Sequence, residues 1–275
     1  MGNGFQITDQ IFEQISNLVY KEIGVHLPDK KKAMVNSRLS KRIRRLGLAS
    51  FEEYCQYLKN NKAELKSLYN TLTTNVTRFY REDYHFDFLR NTAFPEFKRG
   101  KEKKQIRVWS AGCSTGEEPY TLALELHEFF DITKWDIKIL ASDINTDVLD
   151  KARKGIYTYQ QVREVPYDLL TKCFRLRVDE NRKLFKVKEK LKKDVVFRRI
   201  NLNPRREYPI KSELDFIFCR NVFIYFTQEM REEILTRFYK HLKPGGYLFL
   251  GHSESIKNKN NRRWKPVEKT TYQKV

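Results

Sequence analysis

The residues with the clearest chemical use lie around two glycines and the acidic residues that follow them. Residues 108–120 read V-W-S-A-G-C-S-T-G-E-E-P-Y, and Asp143 ends an apolar run one predicted helix later. This order of elements, in which a strand, a glycine loop, a helix and a second strand are followed by an acidic residue, is typical of a nucleotide-type cofactor site. Gly112 and Gly116 form G-x-x-x-G, which is neither the G-x-G-x-x-G of dinucleotide binders nor a loop ending in G-K-[ST].

The two glutamates after the second glycine favour a cofactor with a positive centre. Glu117 and Glu118 stand where a pyrophosphate would approach a helix N-terminus, and they would repel it. S-adenosylmethionine instead carries a sulfonium and an α-amino group, and Asp143 is placed to accept hydrogen bonds from ribose hydroxyls. The alternative is structural: glycines permit a tight turn, and acids in a first helical turn favour the helix dipole.

Composition indicates an acidic partner and a reducing compartment. The chain has 275 residues, a net charge of +19 and a pI near 9.7, which suit nucleic acid, an anionic membrane surface or an acidic protein. The four cysteines form no C-x-x-C pair, so we expect no metal site. No run approaches the roughly 20 apolar residues of a membrane span. We therefore expect a cytoplasmic protein without membrane insertion.

The spacing of apolar residues divides the chain into a helical part and an α/β part. Residues 1–72 predict an all-α N-terminal domain, 73–90 a junction, and 91–275 a second domain. In that domain, helical patterns at 117–130, 145–154 and 228–242 separate some of the predicted strands, which are 106–111, 137–142, 194–200, 214–219 and 247–251. This alternation predicts a doubly wound, Rossmann-like parallel sheet.

Three smaller features complete the predicted fold. Alternating residues at 174–178 and 183–187 predict a hairpin within an inserted antiparallel β-subdomain at about 157–193. Pro244-Gly245-Gly246 predicts a turn before the last of the five strands, and residues 270–274 a final edge strand.

The second predicted helix carries a basic face beside its apolar stripe. Arg38, Lys41 and Arg45 cluster there at about 100° per residue. A solvated cationic surface is one interpretation, and docking of an acidic helical partner is the other.

Two further motifs are dense in polar residues. Residues 73–82 read T-T-N-V-T-R-F-Y-R-E at the junction, and 215–226 read D-F-I-F-C-R-N-V-F-I-Y-F, with a strand predicted to end at Cys219. Ligands of open α/β sheets bind beyond the carboxyl ends of the strands, where Gly112, Asp143 and Asn221 would all lie.

Together with C-S-T-G-E-E-P-Y, A-S-D-I and the late G-H-S-E at 251–254, these motifs resemble the CheR family of chemotaxis receptor methyltransferases over nearly the whole chain. Many methyltransferases carry a further glycine where Ser114 stands, and here this chain departs from them. The resemblance implies methyl transfer from S-adenosylmethionine to receptor glutamates, which leaves S-adenosylhomocysteine. The implied partner is the cytoplasmic helical region of chemoreceptors, and nothing demands more than a monomer.

The resemblance also implies roles for individual residues. Arg81 and Tyr225 match residues of the transfer step. The methylation helices of receptors carry clustered glutamates, which gives the basic face of Arg38, Lys41 and Arg45 an acidic partner to dock. The positions that match cofactor contacts are Asn75, Thr77, Arg81, Gly112, Glu118, Asp143, Asn201, Leu202, Arg220 and Asn221.

Some members of the family grip a receptor's C-terminal pentapeptide with the inserted subdomain, using a loop that contains glycine. The corresponding turn here, residues 179–182, has none, which predicts a member without that tether.

Two other functions stay open at the level of sequence. A nucleic-acid methyltransferase would suit the charge, but the N/D-P-P-Y/F tetrapeptide is missing, since Asn203-Pro204 runs into two arginines. A cofactor-binding sensor without transfer activity is the third possibility, and the presence of Arg81 and Tyr225 favours activity over it.

Overall fold

The computed structural model describes residues 5–179, 182–203, 207–256 and 262–275. Within residues 5–72 it has the helices α1 (Asp9–Ile23), α2 (Lys32–Arg45), α3 (Phe51–Asn60) and α4 (Lys62–Leu72). The Thr8 hydroxyl caps α1 by accepting from the Ile11 N–H at 3.3 Å, and Gly24 ends it with φ of 76°. Residues such as Val19, Val35 and Leu68 form a separate apolar core for these helices.

Helices and strands then alternate. In chain order they are α5 (Tyr84–Phe88), a π-helical turn (Leu89–Ala93), α6 (Phe94–Gly100), β1 (Gln105–Ala111), α7 (Glu117–Phe129), β2 (Asp136–Asp143), α8 (Thr146–Lys154), β3 (Ile156–Thr158), α9 (Tyr159–Val162), α10 (Tyr167–Cys173), β4 (Phe174–Asp179), β5 (Arg182–Val187), α11 (Glu189–Lys192), β6 (Val195–Arg199), β7 (Leu214–Cys219), a 3₁₀ turn (Phe223–Tyr225), α12 (Gln228–His241), β8 (Leu242–Leu250), β9 (Trp264–Glu268) and β10 (Thr271–Lys274).

The large sheet of the described residues has the order β6-β2-β1-β7-β8-β10-β9. Strands β6, β2, β1, β7 and β8 are parallel, and β10 is antiparallel to both of its neighbours. Its two faces pack into separate apolar cores, since Val108 belongs to one and Trp109 to the other. The Rossmann-like expectation is confirmed, with a mixed sheet in place of a wholly parallel one.

Two local expectations were wrong. The strand at the end of the chain is not an edge strand, because β9, which the sequence analysis missed, pairs outside it. Residues 244–246 do not form a turn ahead of β8 but lie inside it, where the register with β7 shifts between Leu214 and Phe216. A bulge of this kind accommodates the proline and glycines without ending the strand.

The small antiparallel sheet has the order β3-β5-β4, and the predicted hairpin strands pair as expected, with Leu176 opposite Phe185. The middle of the glycine-free turn, residues 180 and 181, lies outside the described residues, as do residues 204–206 after Asn203. The Tyr157 hydroxyl donates to the Thr115 carbonyl at 2.8 Å, which attaches this subdomain to the loop after β1.

No helix in the described parts of the chain is long and apolar enough to cross a membrane.

Candidate functional site

A cavity of about 770 Å³ opens at the carboxyl ends of β1, β2, β6 and β7. This is an ordinary size for a small-molecule site. The structure brings to its wall every residue that the sequence analysis assigned to the cofactor or to the transfer step: Asn75, Thr77, Arg81, Gly112, Glu118, Asp143, Asn201, Leu202, Arg220, Asn221 and Tyr225.

The loop after β1 depends on its two glycines. Gly112 and Gly116 have φ of 93° and 97°, in the left-handed region that disfavours side chains. A Cβ on Gly112 would also lie 2.5 Å from Cγ2 of Val222. Ser114, between the two glycines, also adopts a left-handed backbone, with φ of 48°. Its hydroxyl donates to the Asn75 carbonyl at 2.8 Å, which ties the loop to the junction.

Asp143 lies buried at the end of β2. Its carboxylate accepts the Ser114 N–H at 2.9 Å and the Asn145 N–H at 2.9 Å. Burial raises the pKa of Asp143, and these N–H groups oppose the rise. A carboxylate has about four acceptor sites, so it keeps capacity for hydroxyl groups inside the cavity.

The two glutamates after Gly116 have different surroundings. Glu118 lines the cavity and accepts from the Ser110 hydroxyl at 2.7 Å and from Arg220 Nε at 2.8 Å. Glu117 is not among the lining residues, and its carboxylate accepts from the Thr115 hydroxyl and the Gln161 amide. Of these two glutamates, Glu118 alone therefore lines the cavity, because adjacent residues of a helix point about 100° apart.

Arg220 is a buried cation that joins three parts of the site. Besides Glu118, it donates to the Arg81 carbonyl, and its guanidinium carbon lies 5.5 Å and 5.3 Å from the rings of Phe86 and Phe218. The Glu82 carboxylate lies 3.6 Å from its Nη1. The charge is thus compensated inside the protein, and Arg220 acts on the cavity mainly through the groups it holds.

The junction is strained on both sides of Arg81. Tyr80 and Glu82 have φ of 52° and 56°, a conformation that costs about 1–3 kcal/mol for a residue other than glycine. Glu82 offsets part of that cost by accepting from the N–H and ring Nδ1 of His252, at 3.1 and 2.9 Å. Arg81 itself is half-buried and donates to the Val76 carbonyl at 3.0 Å.

Tyr225 closes the 3₁₀ turn after β7. Its hydroxyl donates to the Thr74 carbonyl at 3.3 Å, and its ring is half-buried. Burial raises the pKa of Tyr225, although the charges of Arg38 and Arg81 oppose the rise, so the phenol stays protonated at neutral pH. The site therefore runs from buried carboxylates to a half-exposed arginine and tyrosine.

One wall of the cavity comes from the N-terminal region, which the sequence analysis did not assign to it. Lining residues there include His26, Lys30 and Lys31 in the segment between α1 and α2. The His26 N–H donates to the Tyr225 carbonyl at 2.8 Å, and the Asn201 amide donates to the Glu22 carbonyl at 2.7 Å. Gly24 and Pro28 mark a loop in the sequence, but only tertiary packing decides which way it faces.

The three residues of the predicted docking face have different surroundings. Lys41 and Arg45 are exposed. The Arg38 guanidinium instead donates to the carbonyls of residues 71–73 and to the Thr74 hydroxyl, at 3.0–3.3 Å. Arg38 thereby satisfies the free carbonyls at the end of α4, and its charge is directed toward the junction.

Comparison with known proteins gives the same assignment along the whole chain. Residues 75–273 match the model for the CheR methyltransferase S-adenosylmethionine-binding domain, and residues 10–73 match the model for the CheR all-α domain. This chain belongs to the CheR methyltransferase family. It is 38% identical to the chemotaxis protein methyltransferase of Borreliella burgdorferi over 98% of this chain and 95% of the relative. It is 40% identical to the Escherichia coli protein of that name, over 93% and 88%.

The donor set of the cavity fits the S-adenosylmethionine of CheR enzymes. Asp143 offers acceptor capacity for ribose hydroxyls, and Leu202, Ile144 and Ile200 add apolar surface suited to a flat base. The lining carboxylates Glu118 and Asp143 suit a cofactor that carries an ammonium group and a sulfonium. The cofactor prediction is confirmed by the matching domain.

Proposed function

We propose that this protein methylates glutamate side chains in the cytoplasmic helical region of chemotaxis receptors, giving methyl esters. Relatives that cover nearly the whole chain are named chemotaxis protein methyltransferases. The observation that carries the proposal is the position of Arg81 and Tyr225. Both are half-exposed and line the same cavity as the buried Asp143. A substrate side chain at Arg81 and Tyr225 can therefore contact a cofactor that the buried carboxylates hold in the same cavity.

The proposed reaction needs positioning more than proton transfer. A glutamate with a pKa near 4.3 is already an anionic nucleophile at neutral pH, so no general base is required. S-adenosylmethionine, when bound, supplies a methyl group activated by its sulfonium. Arg81 and the Tyr225 hydroxyl hold the carboxylate oxygen in line by charge-assisted hydrogen bonds, and alignment of this kind lowers the barrier substantially. The contact of Arg81 with the Val76 carbonyl occupies one of its five donors, and we expect Arg81 to orient the carboxylate more than to pair with it tightly.

Transfer of a labelled methyl group tests the substrate directly. We expect labelled S-adenosylmethionine to leave base-labile label on a receptor cytoplasmic fragment, because carboxyl methyl esters hydrolyse in mild alkali. A fragment with glutamine in place of its candidate glutamates is the control and should stay unlabelled. Label on RNA offered in parallel, or base-stable label on the receptor, would contradict the proposal.

The same assay addresses the tether. We propose that this member works without a C-terminal pentapeptide, because the turn at 179–182 has no glycine. Receptor fragments with and without their last five residues should then be methylated with equal kcat/KM. The cavity is built from a single chain, which is the basis for proposing an active monomer.

The docking face on α2 predicts an effect on KM. Changing the exposed Lys41 and Arg45 together to glutamate should raise the KM for the receptor fragment about tenfold at low salt, through lost attraction to an acidic helix. The Kd for the cofactor should not change, since neither residue lines the cavity. Arg38→Glu is the informative comparison, because loss of its contacts at residues 71–74 should also weaken cofactor binding. An unchanged KM at low salt for the Lys41 and Arg45 variant would contradict docking on this face.

A further inference from the structure

Glu254 is a buried carboxylate just beyond the end of β8, and the site described so far gives it no role. It is 4% exposed. Its Oε2 accepts the N–H groups of Asn221 at 2.9 Å and Gly251 at 2.7 Å, and its Oε1 accepts the N–H of Ile224 at 3.3 Å. These partners are backbone groups. The carboxylate therefore holds the main chain in its path and does not act by holding another side chain.

The loop that Glu254 holds carries three residues of the site. Arg220 begins it, Asn221 follows with a left-handed φ of 59°, and Tyr225 ends it in the 3₁₀ turn. Glu254 thus contacts this loop near both ends, at Asn221 and at Ile224 beside Tyr225. The contact also depends on Gly251, since a Cβ there would lie 2.7 Å from the Asn221 nitrogen and 2.9 Å from Glu254 Oε2.

We propose that Glu254 is a positioning residue for methyl transfer, which fixes the loop so that the Tyr225 hydroxyl and the Asn221 side chain face the cavity. The proposal rests on the role of Tyr225 proposed above. Hydrogen bonds from N–H groups to a carboxylate are shorter and stronger than those to a neutral acceptor, and one carboxylate can accept all three. A site held this firmly needs no rearrangement when the substrate arrives.

Glu254→Gln keeps the shape and removes the charge. Its amide group must turn an N–H toward a backbone donor, which shifts the loop. We expect kcat for receptor methylation to fall by about 10- to 100-fold, as small misplacements in active sites do. The KM for the receptor should change less than threefold, since docking lies elsewhere. An unchanged kcat in a folded variant would overturn the proposal, whereas an inactive unmodified protein would instead overturn the proposed function.

A double-variant cycle separates positioning from a general loss of structure. The double variant with Glu254→Gln and Tyr225→Phe should have the same kcat as Tyr225→Phe alone, because the hydroxyl is already misplaced and the two losses share one cause. Losses that multiply would show that Glu254 does not act through Tyr225, and would overturn the proposal.

A matched buried carboxylate is available at the opposite end of the sheet. Asp215 is 2% exposed and accepts the Arg107 N–H at 2.7 Å, beside Lys101 and Lys243. Asp215→Asn should lower the Tm and leave kcat unchanged.

If Glu254→Gln does not fold, Gly251→Ala gives the same test, because its methyl group enters the contact between Asn221 and Glu254. A folded Gly251→Ala protein with normal kcat would count against the proposal.

Discussion

Asp143→Ala should raise the Kd for S-adenosylmethionine about 100-fold, equivalent to about 2.7 kcal/mol. The variant removes the acceptor proposed for the ribose hydroxyls. It also leaves the N–H groups of Ser114 and Asn145 without their partner, which loosens the loop that carries the glycines. Calorimetric titration of the cofactor into the purified protein measures the effect.

Two comparisons make this result specific. Asp147→Ala changes an exposed acid in the first turn of the next helix and should leave the Kd unchanged. Tyr225→Phe should lower kcat about 100-fold with little change in the cofactor Kd, since its proposed partner is the substrate carboxylate. Equal losses of cofactor affinity in Asp143→Ala and Tyr225→Phe would contradict the division between binding and transfer.

Arg220→Met should lower the free energy of unfolding by about 3–5 kcal/mol, because it leaves Glu118 charged and buried, with the Ser110 hydroxyl as its remaining hydrogen-bond partner among the described residues. This loss of stability is the cost of leaving one buried charge uncompensated. It is much larger than the net contribution of the intact ion pair to the free energy of unfolding. At roughly 2–4 °C per kcal/mol, the Tm should fall by about 10 °C. Urea unfolding followed by circular dichroism gives the free energy.

A second substitution tests that cause. Combining Arg220→Met with Glu118→Gln removes both charges and should recover much of the stability, while cofactor binding stays impaired. A single variant that loses less than about 1 kcal/mol would show that water or a neighbouring cation compensates Glu118. The pair would then have little part in the stability of the site.

The gathering of the site at one end of the sheet was predictable because strand direction decides it. The run at 214–219 became β7 with those bounds, and parallel pairing with β1 brings the loop after Cys219 beside Gly112. Local chemistry also decides the ends of α1, where the Thr8 hydroxyl caps the start of the helix and Gly24 ends it.

Features that depend on distant contacts were not predictable. Which of the two glutamates lines the cavity depends on how α7 packs on the sheet, and Glu117 accepts from Gln161 of the inserted subdomain, a contact that is distant in sequence. The hydrogen bonds of Arg38 depend on where α4 ends relative to α2. Helical spacing alone shows only that the Arg38 side chain lies beside the apolar stripe. The Glu254 carboxylate lies in a short motif and contacts backbone groups of another loop. No pattern of residue types in the sequence therefore indicates these contacts.

The bond from the His26 N–H to the Tyr225 carbonyl has a consequence for how the two regions can be exchanged. Residues 10–73 and 75–273 are recognised as separate domains, yet both line one cavity. A chimera that takes its N-terminal region from one relative and its catalytic region from another would alter the cofactor wall itself. The two regions must therefore match each other in such a chimera, and residues 75–273 alone would form a cavity that lacks one wall.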